Sequence, residues 1–305
     1  MECVSKRASD DCVAESAKAP DRRGCVKLAP RCRFTVMGLV MIDNAESTDM
    51  GVAEKEMSPW VSIVIATMDS ERTLAACLES ISSQSLTELE VLVSDGGSRD
   101  GTLQIVDRYN HLIKHVRSGA DQGVYDAWNK GLPFASAPWV LFLGSDDRIA
   151  TPDALMKARN QLSMRSEQTG FVAFPTRMRE ATNRVFVPSE GEVARRRSKG
   201  EMPILHTGTL HHRSLFKRFG HFDPTFHISG DYEFVLRCAS AQVCVFDAPT
   251  LVEFSNGGLS TQRRNIVRIL KEDMRARRLH GWTNWTPERV AKLTYRAVRL
   301  MLGLT

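Results

Sequence analysis

No stretch of this chain approaches the roughly 18–20 consecutive apolar residues that cross a bilayer. The nearest, Phe34 to Ile42, has nine. The first residues show no secretory pattern, because Lys6 and Arg7 are followed by Asp10, Asp11 and Glu15 instead of an apolar segment, and export is not expected. Glycine (20) and proline (12) make up about a tenth of the residues, which excludes collagen-like and low-complexity chains. The seven cysteines (Cys3, Cys12, Cys25, Cys32, Cys77, Cys238, Cys244) form no CxxC pair, so a structural zinc site has no support. Without a secretory pattern, reduced thiols in a cytoplasmic protein are expected rather than a disulfide framework. Neither GxGxxG nor GxxxxGK[ST] occurs, which removes the dinucleotide and P-loop phosphate cradles.

What is present is an ordinary globular composition: 305 residues, 42% hydrophobic and 25% charged, enough for one large or two small domains. The net charge of +5 is small for that length, so its distribution matters more than its size. Residues 1–56 mix charges of both signs with Pro20, Gly24 and Pro30 and show no sustained period. They are expected to be a disordered leader, with Met57 a sensible start for the folded part.

From Trp60 the pattern sharpens. Val61–Ala66 is a short apolar run of the kind that fills a parallel sheet buried on both faces. After Asp69-Ser70, read as a helix N-cap, Leu74, Cys77, Leu78 and Ile81 fall on one helical face. Strands follow at Leu89–Ser94, Ile113–Val116 and Trp139–Leu143. Between them lie one helix with Leu103 and Val106 turned inward and another over Tyr125–Phe134. Such alternation means right-handed crossovers and an open, Rossmann-like α/β sheet. Beyond residue 151, short strands (Phe171–Phe174, Arg184–Val187, Thr207–His211) and a helix from Gly230 give a mixed α+β half. No periodicity decodes Arg195-Arg196-Arg197 to Pro203.

In an open α/β sheet, ligands bind outside the carboxyl ends of the strands. Three such ends carry polar clusters here: Thr67-Met68-Asp69, Asp95-Gly96-Gly97-Ser98 and Gly144-Ser145-Asp146-Asp147. One alone reads as a helix cap or a solvated turn; three on one sheet edge point to a site. The adjacent carboxylates Asp146 and Asp147 repel each other and become favourable when they share a hard divalent cation with a phosphate ligand.

These residues carry a resemblance. SIVIAT at Ser62–Thr67, EVLVSDGGSRDGT at Glu90–Thr102, DQGVYDAWNKG at Asp121–Gly131 and FLGSDD at Phe142–Asp147 resemble the nucleotide-binding half of the family 2 glycosyltransferases. HTGTLHHRSLFKRFGHFDPTF at His206–Phe226, followed by GDYEF at Gly230–Phe234, resembles their acceptor half. Together they cover about two thirds of the chain in the family's order. The resemblance implies a GT-A fold over 57–255, with 57–150 the nucleotide-sugar half and 151–255 the acceptor half. It implies an inverting transfer from a nucleoside-diphosphate sugar, UDP- or GDP-linked, to a hydroxyl of a glycan or lipid-linked acceptor, as in polysaccharide or glycolipid biosynthesis.

Residue by residue, it sets Thr67 and Asp69 beside the nucleotide and gives Asp95 the base, for which a carboxylate is a natural acceptor. Gly96 and Gly97 allow close backbone approach. Tyr125, Asp126, Asn129 and Lys130 belong to the same nucleotide-sugar site, although Asp126 and Lys130 also have the spacing of an ordinary helix ion pair. Asp146 would approach the ribose and Asp147 the cation, Mg²⁺ or Mn²⁺. The motif's first acidic position is Ser145, a departure that leaves the metal mode open. Asp231 matches the catalytic base, with Gly230 where many relatives have Glu. Glu233 is its competitor, and His206 begins the acceptor-side motif.

Outside the resemblance lies the segment 256–305, a basic helical tail. Eleven Lys and Arg lie between Arg263 and Arg299, against Glu272, Asp273 and Glu288. With Ile266, Ile269 and Leu270 as an apolar stripe and Trp282 and Trp285 nearby, it reads either as a contact to anionic membrane at the inner face or as a helix packed on the domain with a solvated basic face. No nucleic-acid module is present. Two other functions remain open at this point: a nucleotidyltransferase acting on a sugar phosphate, and a non-catalytic sugar-nucleotide-binding subunit.

Overall fold

A computed structural model describes residues 58–163, 169–179, 183–255 and 257–283, with positions 291, 294, 295 and 298. The expectations for the leader, Met57, the four N-terminal cysteines and Trp285 lie outside these residues. All the described residues fall in one compact unit, Lys55–Thr305.

The first half alternates strand and helix: β1 (Val61–Thr67), α1 (Leu74–Ser82), β2 (Leu89–Asp95), α2 (Thr102–Arg108), β3 (Ile113–Ser118), α3 (Val124–Gly131), β4 (Trp139–Gly144). The second half runs β5 (Arg148–Ile149), α4 (Ala154–Leu162), β6 (Thr169–Ala173), β7 (Thr176–Met178), β8 (Val185–Phe186), α5 (Glu190–Ser198), β9 (Thr209–His212), α6 (Ser214–Phe219) and α7 (Gly230–Arg237). It closes with β10 (Gln242–Val245), β11 (Val252–Phe254) and α8 (Ile266–Leu279). Seven strands form one sheet in the order β10-β6-β9-β4-β1-β2-β3, and β5-β11-β7-β8 form a second. In the large sheet only β9 runs against the others.

Alternation along the strands builds two cores, because successive side chains point to opposite faces. Ile63 and Ile65 pack with Leu74, Cys77, Leu78 and Ile81 of α1, and with α2 and α4. Val64 and Ala66 pack on the other face with Trp128 of α3, Phe216 of α6 and Phe234 of α7. The inner face of α1 is the one its spacing foretold. Three local expectations change. Helix α1 starts at Leu74 with Thr73 at its cap position, and Ser70 instead closes the preceding turn, its carbonyl accepting from Thr73 and Leu74 N–H. In α2 it is Ile105 and Val106 that are buried, while Leu103 is exposed. The helix foreseen over Tyr125–Phe134 is α3 followed by a single 3₁₀ turn, Leu132–Phe134, with Pro133 in it.

Arg195–Arg197 belong to α5, which buries only Val193 and so shows no apolar period. The helix is made by local chemistry. Ser189 Oγ accepts from Glu192 N–H, and the Glu192 carboxylate pairs with Arg195 and Arg196. The tail helix α8 lies on α7, with Ala276 against Tyr232 and Leu236. Ile266 and Ile269 are buried, so the stripe that could have entered a membrane is used inside the protein. Cys77, Cys238 and Cys244 are free and buried.

At the amino ends of the four parallel strands sits one buried carboxylate, Glu90. It accepts from Ser62 Oγ of β1 (2.5 Å), Lys114 Nζ of β3 (2.5 Å), and Ser136 N–H (2.6 Å), Ser136 Oγ (2.9 Å) and Ala137 N–H (3.2 Å) ahead of β4. Burial alone would raise this carboxyl, but its bonds to Lys114, Ser62 and Ser136 outweigh that and hold it at about 2. Its contribution to stability is therefore complete above the ordinary glutamate range and fades as pH falls towards 2. We expect Glu90→Ala to cost about 3 kcal/mol in urea unfolding at pH 7, with the deficit shrinking below pH 4. A deficit equal at pH 7 and pH 3 would mean that the ionised carboxylate contributes nothing.

Candidate active site

The strand order β3-β2-β1-β4 reverses direction of growth at β1, so the crevice between the β1 and β4 loops is the topological switch point where such sheets take ligands. Register brings the three acidic ends level: Thr67 lies opposite Asp95, and Ala66 opposite Gly144. Ser70 Oγ and Ser145 Oγ meet at 2.8 Å, joining the two loops across the crevice. The serine that departs from the acidic motif therefore has a bond of its own.

The β2 loop is built around Asp95. Its buried carboxylate accepts from the N–H groups of Gly97 and Ser98 (both 3.0 Å) and from Ser118 Oγ (2.6 Å) and Ser98 Oγ. That carboxylate shapes the loop in the structure. Gly97 has φ +93°, and a Cβ on Gly96 would lie 2.7 Å from Asp121 Oδ2. Asp69 sits at φ +47°, a conformation Asp tolerates better than most residues. Its Oδ1 accepts from Arg99 N–H (2.9 Å) and its own N–H donates to Ser98 Oγ (2.8 Å), which ties the β1 loop to the β2 loop. Between them Thr67 Oγ1 is buried without a hydrogen-bond partner among the described residues.

Asp146 and Asp147 close over Gly144. A Cβ there would stand 2.8 Å from Asp146 Oδ1 and 3.3 Å from Asp147 Oδ2, and Gly144 N–H donates to Asp147 Oδ2 at 3.0 Å. Burial, and then the charge of Asp146, push the Asp147 carboxyl up to about 7. A hard cation would relieve both effects, so the pair fits one. Among the described residues no group of three or more His, Cys, Asp or Glu stands ready to hold a metal. The other ligands would have to come from a bound diphosphate and water.

The α3 residues divide between two neighbourhoods: Asp126 and Lys130 bond to the 120–122 segment beside the β2 loop, and Tyr125 and Asn129 bond to residues beyond 220. Asn129 exchanges two bonds with the backbone of Phe222, donating to its carbonyl (2.8 Å) and accepting from its N–H (3.0 Å). Lys130 pairs with Asp126 (2.6 Å) and donates to Ala120 O (3.0 Å). Buried Tyr125 turns its hydroxyl to Ile228 O (2.6 Å) and Asp231 Oδ1 (3.0 Å). The structure thus ties Tyr125 and Asn129 to the second half of the chain.

Asp231 opens α7, and burial raises its carboxyl above the ordinary range, with Tyr125 pulling it back. Glu233, the other acid at the start of this helix, is already engaged. It is buried and held by Arg237 Nη2 (2.8 Å), Arg237 Nε (3.0 Å) and His280 Nε2 (2.9 Å). His206 is packed against Trp128, Phe142 and Phe222, with neither ring nitrogen bonded among the described residues, and burial lowers it to about 3. Sequence reading missed Glu272 of α8, whose carboxylate accepts from His227 N–H (3.1 Å), Ile228 N–H (2.8 Å) and Ser229 N–H (2.9 Å), just ahead of Asp231. Its one signal was an acid at a buried helical position of a basic tail.

A doubly wound sheet with acidic loops at its switch point and an appended α+β half is the GT-A-like architecture of sugar-transferring enzymes. Solved structures share it: S. aureus TarS in complex with UDP-GlcNAc (19% identity, 80% of this chain and 73% of that one, TM-score 0.54) and a mannosyltransferase from Pyrobaculum calidifontis in complex with GDP-Man and Mn²⁺ (18%, 82% and 72%, TM-score 0.55). The family model Glycosyl transferase family 2 matches residues 62–218, and the chain belongs to that family. A PGL/p-HBAD biosynthesis glycosyltransferase of Mycobacterium tuberculosis is 32% identical over 188 residues, 60% of this chain and 71% of its own. A second, uncharacterised glycosyltransferase of that organism is 28% identical over 207 residues, 68% and 79%. The protein is a glycosyltransferase.

The raised Asp147 carboxyl makes a stability claim. With no cation present, its ionisation penalises the folded state above about pH 7 and does not below pH 4, where both states are protonated. Asp147→Asn keeps the acceptor for Gly144 N–H. We expect it to stabilise the metal-free protein by about 2–4 kcal/mol at pH 8 and hardly at all at pH 4, read by urea unfolding. A loss of stability at pH 8 would overturn this reading.

Proposed function

We propose that the enzyme moves a sugar, with inversion, from a UDP- or GDP-linked donor at the switch-point crevice to a hydroxyl of a glycan or lipid-linked acceptor. The observation that carries this is the carboxylate pair Asp146 and Asp147 closing over Gly144 where the β1 and β4 loops meet. The neighbours that bind UDP-GlcNAc and GDP-Man support the donor class, and the mycobacterial relative's role in PGL/p-HBAD biosynthesis supports the acceptor class. Family membership sets aside the nucleotidyltransferase alternative.

The Asp95–Ser98 loop, with Thr67 and Asp69, receives the nucleoside. A divalent cation, Mg²⁺ or Mn²⁺, on Asp147 with Asp146 beside it would supply Lewis-acid stabilisation of the leaving diphosphate. Asp231 takes the proton of the acceptor hydroxyl as its oxygen bonds to the anomeric carbon. The bond from that carbon to phosphate oxygen breaks, and its electron pair leaves with the nucleoside diphosphate. One displacement inverts the centre. A raised carboxyl suits a base that works near neutrality.

Release of nucleoside diphosphate over a panel of sugar nucleotides, with the product's anomeric configuration read by NMR, tests the reaction. In the same assay Asp231→Asn should lose about 10²- to 10⁴-fold in turnover while donor affinity stays within a few-fold. Retained configuration, or turnover untouched by Asp231→Asn, would overturn the mechanism.

We also read the enzyme as cytoplasmic, meeting the inner membrane face through the outer side of α8. Val267 and Leu279 are exposed there beside exposed Arg268, Lys271 and Arg278. Since the buried stripe of α8 is spent on the domain, contact with anionic lipid would be electrostatic, at roughly 1 kcal/mol per basic residue. Co-sedimentation should then need anionic vesicles and fade with salt. Equal binding to neutral vesicles would contradict it.

A further inference from the structure

We propose that Tyr125 is a positioning residue for Asp231, its hydroxyl holding the carboxylate that accepts the acceptor's proton; this rests on the reading of Asp231 as base. The hydroxyl stands between two acceptors, Ile228 O at 2.6 Å and Asp231 Oδ1 at 3.0 Å, and its single proton is shared between them. Both partners are themselves fixed. Glu272 of α8 clamps the N–H groups of residues 227–229, so the Ile228 peptide cannot swing away. The tyrosine ring is wedged between Trp128 and Phe222, each with ring centres 5.6 Å away.

Gly230 is part of the same device. A Cβ at that position would meet Tyr125 Cδ2 and Cε2 at 2.8 Å, closer than side-chain atoms approach. The ring occupies the space a side chain at 230 would need. Glycine at 230 and the ring of Tyr125 thus depend on each other sterically in this chain.

A phenol suits both states of the base. It donates to Asp231 as carboxylate, and it accepts from Asp231 as carboxyl while its own proton goes wholly to Ile228 O. Proton uptake during the reaction then needs no neighbouring group to move. The other charged groups around Asp231 are settled. Glu272 on α8 is committed to the loop and raises Asp231, while Glu233, Arg237 and His280 pair with one another. Of the two bonds, the one to the ionised form is charge-assisted and the stronger, so removing the hydroxyl shifts the base towards higher pH.

The test is Tyr125→Phe in the full chain. It is assayed beside Asp231→Asn with the nucleotide sugar that turns over in the panel, UDP-GlcNAc and GDP-mannose first. We expect donor affinity by calorimetry within about two-fold of wild type. The acid limb of kcat/KM should move up by about one pH unit, so that a roughly ten-fold loss on that limb disappears at high pH. Gly230→Ala, which displaces the ring from the other side, should move the limb the same way and serves if Tyr125→Phe does not fold. An unmoved limb beside an inactive Asp231→Asn overturns the positioning role alone. Undiminished turnover in Asp231→Asn removes the base reading and the proposal with it. Weakened donor binding in Tyr125→Phe, with the limb unmoved, returns the tyrosine to the nucleotide side and also overturns the proposal.

Discussion

Parallel strands have no hairpins to fix their relative heights, and each returns through a separate crossover. In this enzyme one buried carboxylate does much of that work. Glu90 joins β1, β2, β3 and the lead into β4 at their amino ends. Its neighbour in the ladder is Ser62, and five residues further on, about 17 Å away, Asp95 stands opposite Thr67. A slip of one residue at the Glu90 end would turn every loop residue to the other face. The acidic loops can be level at the carboxyl ends because the strands are pinned at the opposite ends.

The second constraint is the start of α7. Tyr125 on α3 bonds Asp231 directly, and Glu272 on α8 fixes the 227–229 loop that leads into it. Burial raises the Asp231 carboxyl, and burial in turn requires that the surrounding polar groups be satisfied. Glu272 meets three N–H groups with one carboxylate, and Asn129 meets both backbone groups of Phe222. The bonds from α3 to the second half, Asn129 to Phe222 and Tyr125 to Ile228 and Asp231, join residues about a hundred positions apart in sequence.

That distance explains which features could be read in advance. The first four strands and α1 were legible because a sheet buried on both faces demands unbroken apolar runs and a packed helix demands the 3–4 spacing of Leu74, Cys77, Leu78 and Ile81. The positions of the acidic loops followed from the strand ends. Helix α5 was not legible from periodicity, since it buries Val193 alone; its one signal was Ser189 followed three residues later by Glu192. The partners of Tyr125, Glu233 and His206 were invisible for another reason. Spacing along a helix says which residues share a face, and says nothing of which distant carbonyl, arginine or aromatic cluster that face will meet. So Glu233 entered as a candidate base and proves to be ion-paired, and His206 entered as an acceptor contact and proves to be packed among aromatic rings.

The central claim is that the donor lies at the switch point between β1 and β4. Hydrogen exchange of the full chain, with and without UDP-GlcNAc or GDP-mannose in the presence of Mn²⁺, tests it most directly. The amides of residues 68–71, 96–99 and 144–148 should exchange more slowly with the bound donor. The cavity at the far end of the sheet, lined by Thr169, His212, Arg218 and Gln242, should be unchanged. Protection confined to that cavity, with the three loops unaffected, would contradict the account.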